Sequence, residues 1–274
     1  MIIDTHVHIG TILNFRMKKE EVLYSMEKYG IGYSIVSDIR AVEFAHNQRH
    51  IPKLFQTSQY KCAESVIGFA KDNPDKIGAA VWLKPYGEKA DDDIKELISR
   101  ERKYIRALKF HPFHSAVPFD SREMDPFIEI ARDQRLPVVT HTGGSDQASC
   151  VRVYNMAKRW PDVSFVMVHM GLGTDNSEAT ELIGRLPNLY GDTTWVKMEN
   201  TIRFIEKNGD EKIVFGSDNP IDGKDTYLNN GRGSVSIYQD YFHKLPELIS
   251  PSAYENLMYK NALRLFGEDI MKKQ

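Results

Sequence analysis

Two histidines separated by one residue lie near the start of the chain, in Asp4-Thr5-His6-Val7-His8. Side chains two residues apart point to the same face of a β-strand, so His6 and His8 would present two imidazoles side by side. Two neighbouring buried imidazoles are costly without a shared partner, and a divalent metal supplies one. The HxH pattern alone is common by chance, so its interpretation depends on what else the sequence places nearby.

Three further polar residues end apolar runs later in the chain. His141 lies in PVVTHT, His169 in FVMVHM and Asp218 in IVFGSDNP. Each alone is typical of a hydrogen-bonded strand end. Together with His6 and His8 they indicate a divalent metal site, for which zinc suits nitrogen and oxygen ligands best and manganese or iron could substitute. Such a metal activates water near neutral pH, and a nearby carboxylate or imidazole can carry its proton.

The elements that must position these residues alternate regularly. Periodicity and turn residues predict strands at 1–7, 32–37, 77–83, 105–110, 137–141, 164–169, 189–193 and 212–217. They predict helices at 18–29, 59–73, 91–101, 122–134, 148–160, 176–186, 197–207 and 254–266. Eight such units predict a single (β/α)8 barrel domain over residues 1–274, with its functional groups at the C-terminal ends of the strands. The longer connections at 40–57 and 222–237 would then overhang the active-site face.

Five short motifs carry a resemblance to a known family. The chain is similar to the amidohydrolase superfamily, and most of all to amidohydrolase family 2, which includes aminocarboxymuconate semialdehyde decarboxylase. The resemblance spans residues 2 to about 267. The motifs are ALKFHP (107–112), VVTHTGG (138–144), VMVHMG (166–171), FGSDNP (215–220) and NALRLFG (261–267).

The resemblance implies a role for each strand-end residue. His6, His8 and His141 would bind one divalent metal, with Asp218 as a further ligand or close neighbour. His169 would be the catalytic histidine, and in the hydrolases Asp218 would also take the proton of the attacking water. The family's homologues are often dimers, so a homodimer is expected on the same ground.

Lys109 and His111 share a face of the predicted fourth strand. In binuclear members of the superfamily a carboxylated lysine on that strand bridges two metals. We interpret Lys109 instead as a contact to a substrate carboxylate or to a metal ligand. His111 either lines the pocket or packs in front of Pro112.

Three functions remain open from the sequence. The first is hydrolysis of a C–N or C–O bond in a small molecule. The alternative is non-oxidative decarboxylation of an unsaturated or aromatic carboxylic acid, and a less favoured one is a barrel that binds a ligand without catalysis. A net charge of −2, from 36 basic and 38 acidic residues, disfavours nucleic acid as a partner.

The remaining polar and reactive residues indicate no second site. Cys62 and Cys150 form no CxxC pattern and are interpreted as packing residues. Trp195 follows the seventh strand and either walls the pocket or packs in the core. No basic leader and no apolar run of about 18 residues is present, so we expect a cytoplasmic protein without a membrane anchor. The other histidines are expected on the surface or packed in loops: His46, His50, His114 and His243.

Overall fold

The computed structural model describes residues 1–230 and 232–271. Within these residues, nine strands form one curved sheet. Gly231, in the second long connection, and residues 272–274 of the predicted domain lie outside the described residues. The strands are β1 (Ile3–Ile12), β2 (Phe15–Met17), β3 (Tyr33–Asp38), β4 (Ile77–Trp82), β5 (Ile105–Phe110), β6 (Val138–Gly143), β7 (Phe165–Leu172), β8 (Leu189–Asp192) and β9 (Ile213–Val214). The sheet order is β2-β1-β3-β4-β5-β6-β7-β8-β9. All neighbouring pairs are parallel except β1 and β2.

Backbone hydrogen bonds return the last strand to the first. The Thr5 amide donates to the Phe215 carbonyl at 2.9 Å, and the His8 amide donates to the Asn219 carbonyl at 2.9 Å. Between them, the Asp218 amide donates to the His6 carbonyl at 2.8 Å. The eight parallel strands of the described chain therefore close into a barrel, and the predicted (β/α)8 architecture is confirmed.

Helices follow the strands along the chain, with bounds close to those predicted. They are α1 (Lys19–Tyr29), α2 (Gln59–Asp72), α3 (Asp92–Arg100), α4 (Pro112–Ser115), α5 (Asp125–Gln134), α6 (Cys150–Arg159), α7 (Ser177–Ile183), α8 (Met198–Asn208), α9 (Tyr238–His243), α10 (Leu245–Leu248), α11 (Pro251–Glu255) and α12 (Asn261–Phe266). Asp91 caps α3, since its side chain accepts the Ile94 amide. No helix within the described ranges is both long and apolar enough to cross a bilayer.

The structure differs from the predicted elements at several places. Strand β2 was not predicted, because its three residues are too few to show a period. The short helices α4, α9 and α10 were also missed. The last predicted helix is interrupted by a π-helical segment, Asn256–Lys260, between α11 and α12.

Alternating strand residues divide between two apolar clusters. Every second residue of a strand, such as Ala107 in β5 and Val139 in β6, packs with Phe266 and Ile270 from the end of the described chain. Their strand neighbours, such as Leu108, belong to the cluster that the helices share. The first cluster therefore fills the barrel interior, and residues two positions further along the same strands, Lys109 and His141, continue the inner face towards the C-terminal rim.

An irregularity in β1 turns its histidines inward. Ile3 packs in the interior cluster, whereas Val7 packs with the helices. In a regular strand these two side chains, four residues apart, would face the same side. The pairing register of β1 with β3 shifts between Asp4 and Val7, which accounts for the change of face. With Val7 facing the helices, His6 and His8 point into the barrel.

A buried carboxylate fixes the loop that follows β3. The Glu43 side chain is 1% exposed and accepts the amide of Gly87 at 2.6 Å and that of Tyr86 at 3.4 Å. Burial raises the pKa of Glu43 from 4.5 to about 7, and these two amides and Lys84 only partly offset it. The folded protein therefore holds the Glu43 proton more tightly than the unfolded chain.

This carboxylate predicts a pH dependence of stability. Because the folded pKa lies above the unfolded one, its contribution is most favourable below pH 4.5 and is lost as the pH rises to about 7. We expect the difference in unfolding free energy between Glu43→Gln and wild type to change by up to about 3 kcal/mol across this window. Urea unfolding at several pH values measures it, with the exposed Glu27→Gln as control. Parallel profiles for wild type and Glu43→Gln would contradict the prediction.

Candidate metal centre

Three side chains converge inside the C-terminal rim of the barrel. His8 Nε2 lies 2.9 Å from both His6 Nε2 and Asp218 Oδ1, and His6 Nε2 lies 3.3 Å from the same oxygen. All three residues are buried. Ligand atoms about 2.0 Å from a tetrahedral zinc are separated from one another by roughly 3.3 Å, so these spacings and this nitrogen and oxygen donor set fit a divalent metal.

The charges of His6, His8 and Asp218 also favour the binding of a cation. Burial would raise the pKa of Asp218, but hydrogen bonds from His6 and His8 outweigh it and hold that pKa well below its usual value. Burial lowers the pKa of His8 to about 4, so its imidazole is neutral at neutral pH. Burial and Lys109 act to lower the pKa of His6, but the carboxylates of Asp192 and Asp218 outweigh them and raise it. The site thus favours a bound positive charge beside His6.

Asp192, which the sequence reasoning missed, connects two of the predicted residues. Its Oδ2 lies 3.5 Å from His6 Nδ1 and accepts the Thr194 hydroxyl at 2.7 Å. Its Oδ1 accepts the amides of His169 at 2.8 Å and Thr194 at 3.1 Å. Asp192 ends β8, so the strand-end pattern that indicated Asp218 could have indicated it too. A carboxylate behind a ligating histidine fixes the ring and its tautomer.

Removing the charge of Asp192 should weaken metal binding without destroying the site. We expect Asp192→Asn to lower the metal affinity by about 10- to 100-fold, the usual cost of losing a partner behind a ligating histidine. Competition with a chromophoric chelator measures this affinity. Asp120→Asn is the matched control, because Asp120 is partly buried and pairs with Arg152 rather than with a site histidine. An unchanged affinity in Asp192→Asn would exclude this positioning role.

His169 and His141 lie beside the three-residue group. The His169 ring centroid is 5.6 Å from that of His6 and 4.7 Å from that of His141. His169 Nδ1 lies 3.1 Å from the Thr194 carbonyl, which leaves Nε2 as the acceptor nitrogen. Burial lowers the pKa of His169 to about 4 and that of His141 well below its usual value. Both therefore present neutral imidazoles at neutral pH.

His141 is held by stacking. Its ring lies 3.8 Å from the ring of His111, which in turn stacks 5.4 Å from Trp82. Within the described residues, the group whose ligand atoms all lie within 4.8 Å of one another contains His6, His8 and Asp218 but not His141. The structure thus brings three of the four predicted ligands together and places the fourth at the same rim.

Lys109 and His111 occupy different places. Lys109 Nζ lies 3.3 Å from His6 Nε2 and 5.7 Å from the centre of the Trp82 ring, beneath the cavity rather than along its wall. Burial lowers the pKa of Lys109 to about 8, an effect that Asp218 and Asp192 only partly oppose. His111, in contrast, lines the cavity. Lys109 thus lies against His6, one of the predicted ligands, and its role stays a prediction.

Three residues of the site have a left-handed backbone. The φ angles are 69° at His169, 56° at Trp195 and 70° at Asp218. Such angles are uncommon outside glycine, asparagine and aspartate, and they persist where surrounding contacts impose them. Here the amide of each residue is bound: His169 to Asp192, Trp195 to the Tyr238 hydroxyl at 2.9 Å, and Asp218 to the His6 carbonyl. Trp195 is the clearest outlier of the three, because a bulky residue adopts this conformation less readily than aspartate or histidine.

A cavity of about 570 Å³ opens above the three-residue group. Its wall is mostly apolar and aromatic, with Phe15, Met17, Ile39, Phe113, Leu172, Trp195 and Ile221. His46 and His114 also line it: His46 is exposed in the connection after β3, as expected, whereas His114 is buried in α4, which was not expected. His114 is 4% exposed, and its buried Nδ1 lies 2.6 Å from the Phe44 carbonyl. Asn230 and Arg232, from the long connection after β9, add polar groups to the lining.

Comparison with solved structures supports the fold. An uncharacterised TIM-barrel protein from Bordetella bronchiseptica has a TM-score of 0.68 and 18% identity, covering 96% of this chain and 97% of that one. A 5-carboxyvanillate decarboxylase from Novosphingobium aromaticivorans, with bound manganese and a nitrobenzoic acid, has a TM-score of 0.73 and 11% identity, covering 97% of each chain. A probable 2-pyrone-4,6-dicarboxylic acid hydrolase from Acinetobacter baumannii has a TM-score of 0.65 and 12% identity, covering 97% and 98%.

Comparison with protein families covers nearly the whole chain. No curated protein sequence matches this one. The Amidohydrolase family model, however, matches residues 3–267, a span that begins before His6 and extends well past Asp218. That span also contains the five motifs on which the resemblance was based. The chain therefore belongs to the amidohydrolase family of metal-dependent enzymes, which act on small-molecule substrates.

Proposed function

We propose that the protein is a metal-dependent hydrolase of a C–N or C–O bond in a small molecule. The convergence of His6, His8 and Asp218 at the floor of an apolar cavity carries this proposal. We assign one divalent metal to these residues and His141, zinc first, with manganese or iron as alternatives. When bound, such a metal supplies a Lewis acid that activates water and polarises a carbonyl oxygen.

Two residues of the chain are placed to move protons. Asp218 is ionised and lies beside both histidines, so its carboxylate can accept a proton from an attacking water. His169 is neutral and has Nε2 free of the Thr194 contact, so this nitrogen can take up the proton released by the water and then deliver it to a leaving group. The apolar wall excludes bulk water and strengthens these electrostatic contacts.

Decarboxylation is a second candidate, and the cavity wall supports it. Phe15, Phe113 and Trp195 offer flat apolar surfaces, and Arg232 adds a guanidinium that can pair with a carboxylate. A planar unsaturated or aromatic acid would fit these features. In that reaction the proton that replaces the carboxyl group would come from water, and Asp218 or His169 would take up that proton and deliver it to the carbon.

Isotope-labelled water separates the two reactions. We would screen lactones, amides and unsaturated or aromatic acids in water enriched in ¹⁸O and, separately, in D₂O. Hydrolysis places one ¹⁸O in the product acid and releases no CO₂. Decarboxylation releases CO₂ and places deuterium on the carbon that lost it. Turnover of neither class by the metal-loaded protein would contradict both candidates.

A further inference from the structure

The two oxygens of Asp218 have different partners. Oδ1 faces His6 and His8 at 3.3 and 2.9 Å, whereas Oδ2 accepts the indole N–H of Trp195 at 2.9 Å. The carboxylate thus spans the boundary between the proposed ligand group and the cavity wall. A partial rotation of the carboxylate would disturb all three contacts at once.

Trp195 is itself held firmly. Its backbone amide donates to the hydroxyl of Tyr238, a residue that is fully buried, and the two rings lie 5.7 Å apart. The left-handed φ of 56° aims a bulky side chain at Asp218, and a residue of this kind is a clear outlier in that conformation. Because Trp195 also lines the cavity, its ring contacts the substrate space while its N–H contacts the carboxylate.

We propose that Trp195 is a positioning residue that restricts Asp218 to single-oxygen coordination of the metal. This proposal rests on the metal site proposed above. The indole N–H forms a hydrogen bond with Oδ2, so only Oδ1 is available to coordinate the metal together with His6 and His8. Without that N–H, the carboxylate would turn and offer both oxygens, which would change the coordination number and the geometry of the site.

Cobalt(II) tests this directly, because the strength of its visible d–d absorption falls as the coordination number rises. We would load the metal-free protein with Co²⁺ and compare wild type with Trp195→Phe, which keeps an aromatic ring and removes the N–H. The expected result is a weaker, shifted d–d band and a Co²⁺ affinity lower by about 10- to 100-fold. Neither readout requires a substrate.

Trp160→Phe is the matched control. The indole of Trp160 also donates to a carboxylate, Asp125 Oδ1 at 3.3 Å, but Trp160 lies away from the cavity lining. The same substitution there removes the same kind of hydrogen bond. We expect it to leave both the d–d band and the Co²⁺ affinity at their wild-type values.

The outcomes separate this inference from the site on which it rests. A wild-type protein that binds no Co²⁺ would overturn the metal site and the role of Trp195 together. A wild type that binds Co²⁺, with an unchanged band and affinity in Trp195→Phe, would overturn the role of Trp195 alone. If Trp195→Phe does not fold, Tyr238→Phe replaces it: loss of the hydroxyl that holds the Trp195 amide should weaken the band in the same direction, and an unchanged band would overturn the role.

Discussion

Replacing His6 and His8 together by alanine should remove the metal, from about one ion per chain to none, and abolish turnover. Both imidazoles lie within 3.3 Å of Asp218 Oδ1, so the variant loses two of three converging ligands. The carboxylate left behind binds a divalent ion weakly by itself. Elemental analysis after purification without added metal or chelator measures the change.

The control for this experiment is His243→Ala, since His243 is exposed and lies outside the cavity lining. It should retain the wild-type metal content. About two ions per wild-type chain would instead assign a bridging role to Lys109, whose Nζ lies 3.3 Å from His6 Nε2. Tight metal retained in the His6→Ala/His8→Ala variant would contradict the proposed site.

His169→Ala should keep the metal and lose turnover by about 10²- to 10⁴-fold, the usual contribution of a positioned general acid or base. His169 contacts His6 and His141 by ring packing, yet it lies outside the group of converging ligand atoms. Its amide and Nδ1 are bound by Asp192 and Thr194, so removing the ring should leave the ligands in place. Metal content and kcat are measured on the same preparation.

His141→Ala is the informative comparison for His169→Ala. If His141 is a ligand, its variant should lose metal as well as turnover, whereas His169→Ala loses turnover only. His141 stacks on His111 and lines the cavity with His6, His8 and Asp218, outside the group of converging ligand atoms. Equal metal retention in both variants would remove His141 from the ligand set. Equal loss in both would add His169 to it.

The strand-end residues could be predicted because two simple regularities specify them. Apolar runs such as FVMVHM predict buried parallel strands, and a polar residue that ends such a run must face the rim. His141, His169 and Asp218 were found in this way, and the structure places all three at the rim. The barrel was predicted for the same reason, since strands and helices alternate with little irregularity.

The contacts around these residues could not be predicted, because they depend on backbone geometry. The run LYGD could indicate Asp192 as a strand-end carboxylate, but it gives no sign that its two oxygens meet the His6 ring and the His169 amide. Trp195 meets Asp218 only because its φ angle is positive. Periodicity reports which face a side chain takes within a regular strand, and it carries no information once the strand ends.

The closure of the barrel links metal binding to the integrity of the whole fold. His6 and His8 lie on the first strand, whereas Asp218 lies just beyond the last, and the Asp218 amide bonds to the His6 carbonyl across that junction. A bound metal would therefore link the first strand to the residue just after the last strand, two segments that are far apart in sequence. Opening the junction would require releasing the ion, so each tenfold rise in free metal above its Kd should add about 1.4 kcal/mol to the free energy of unfolding. In a cell, the concentration of free metal would then determine the stability of the folded enzyme as well as its activity.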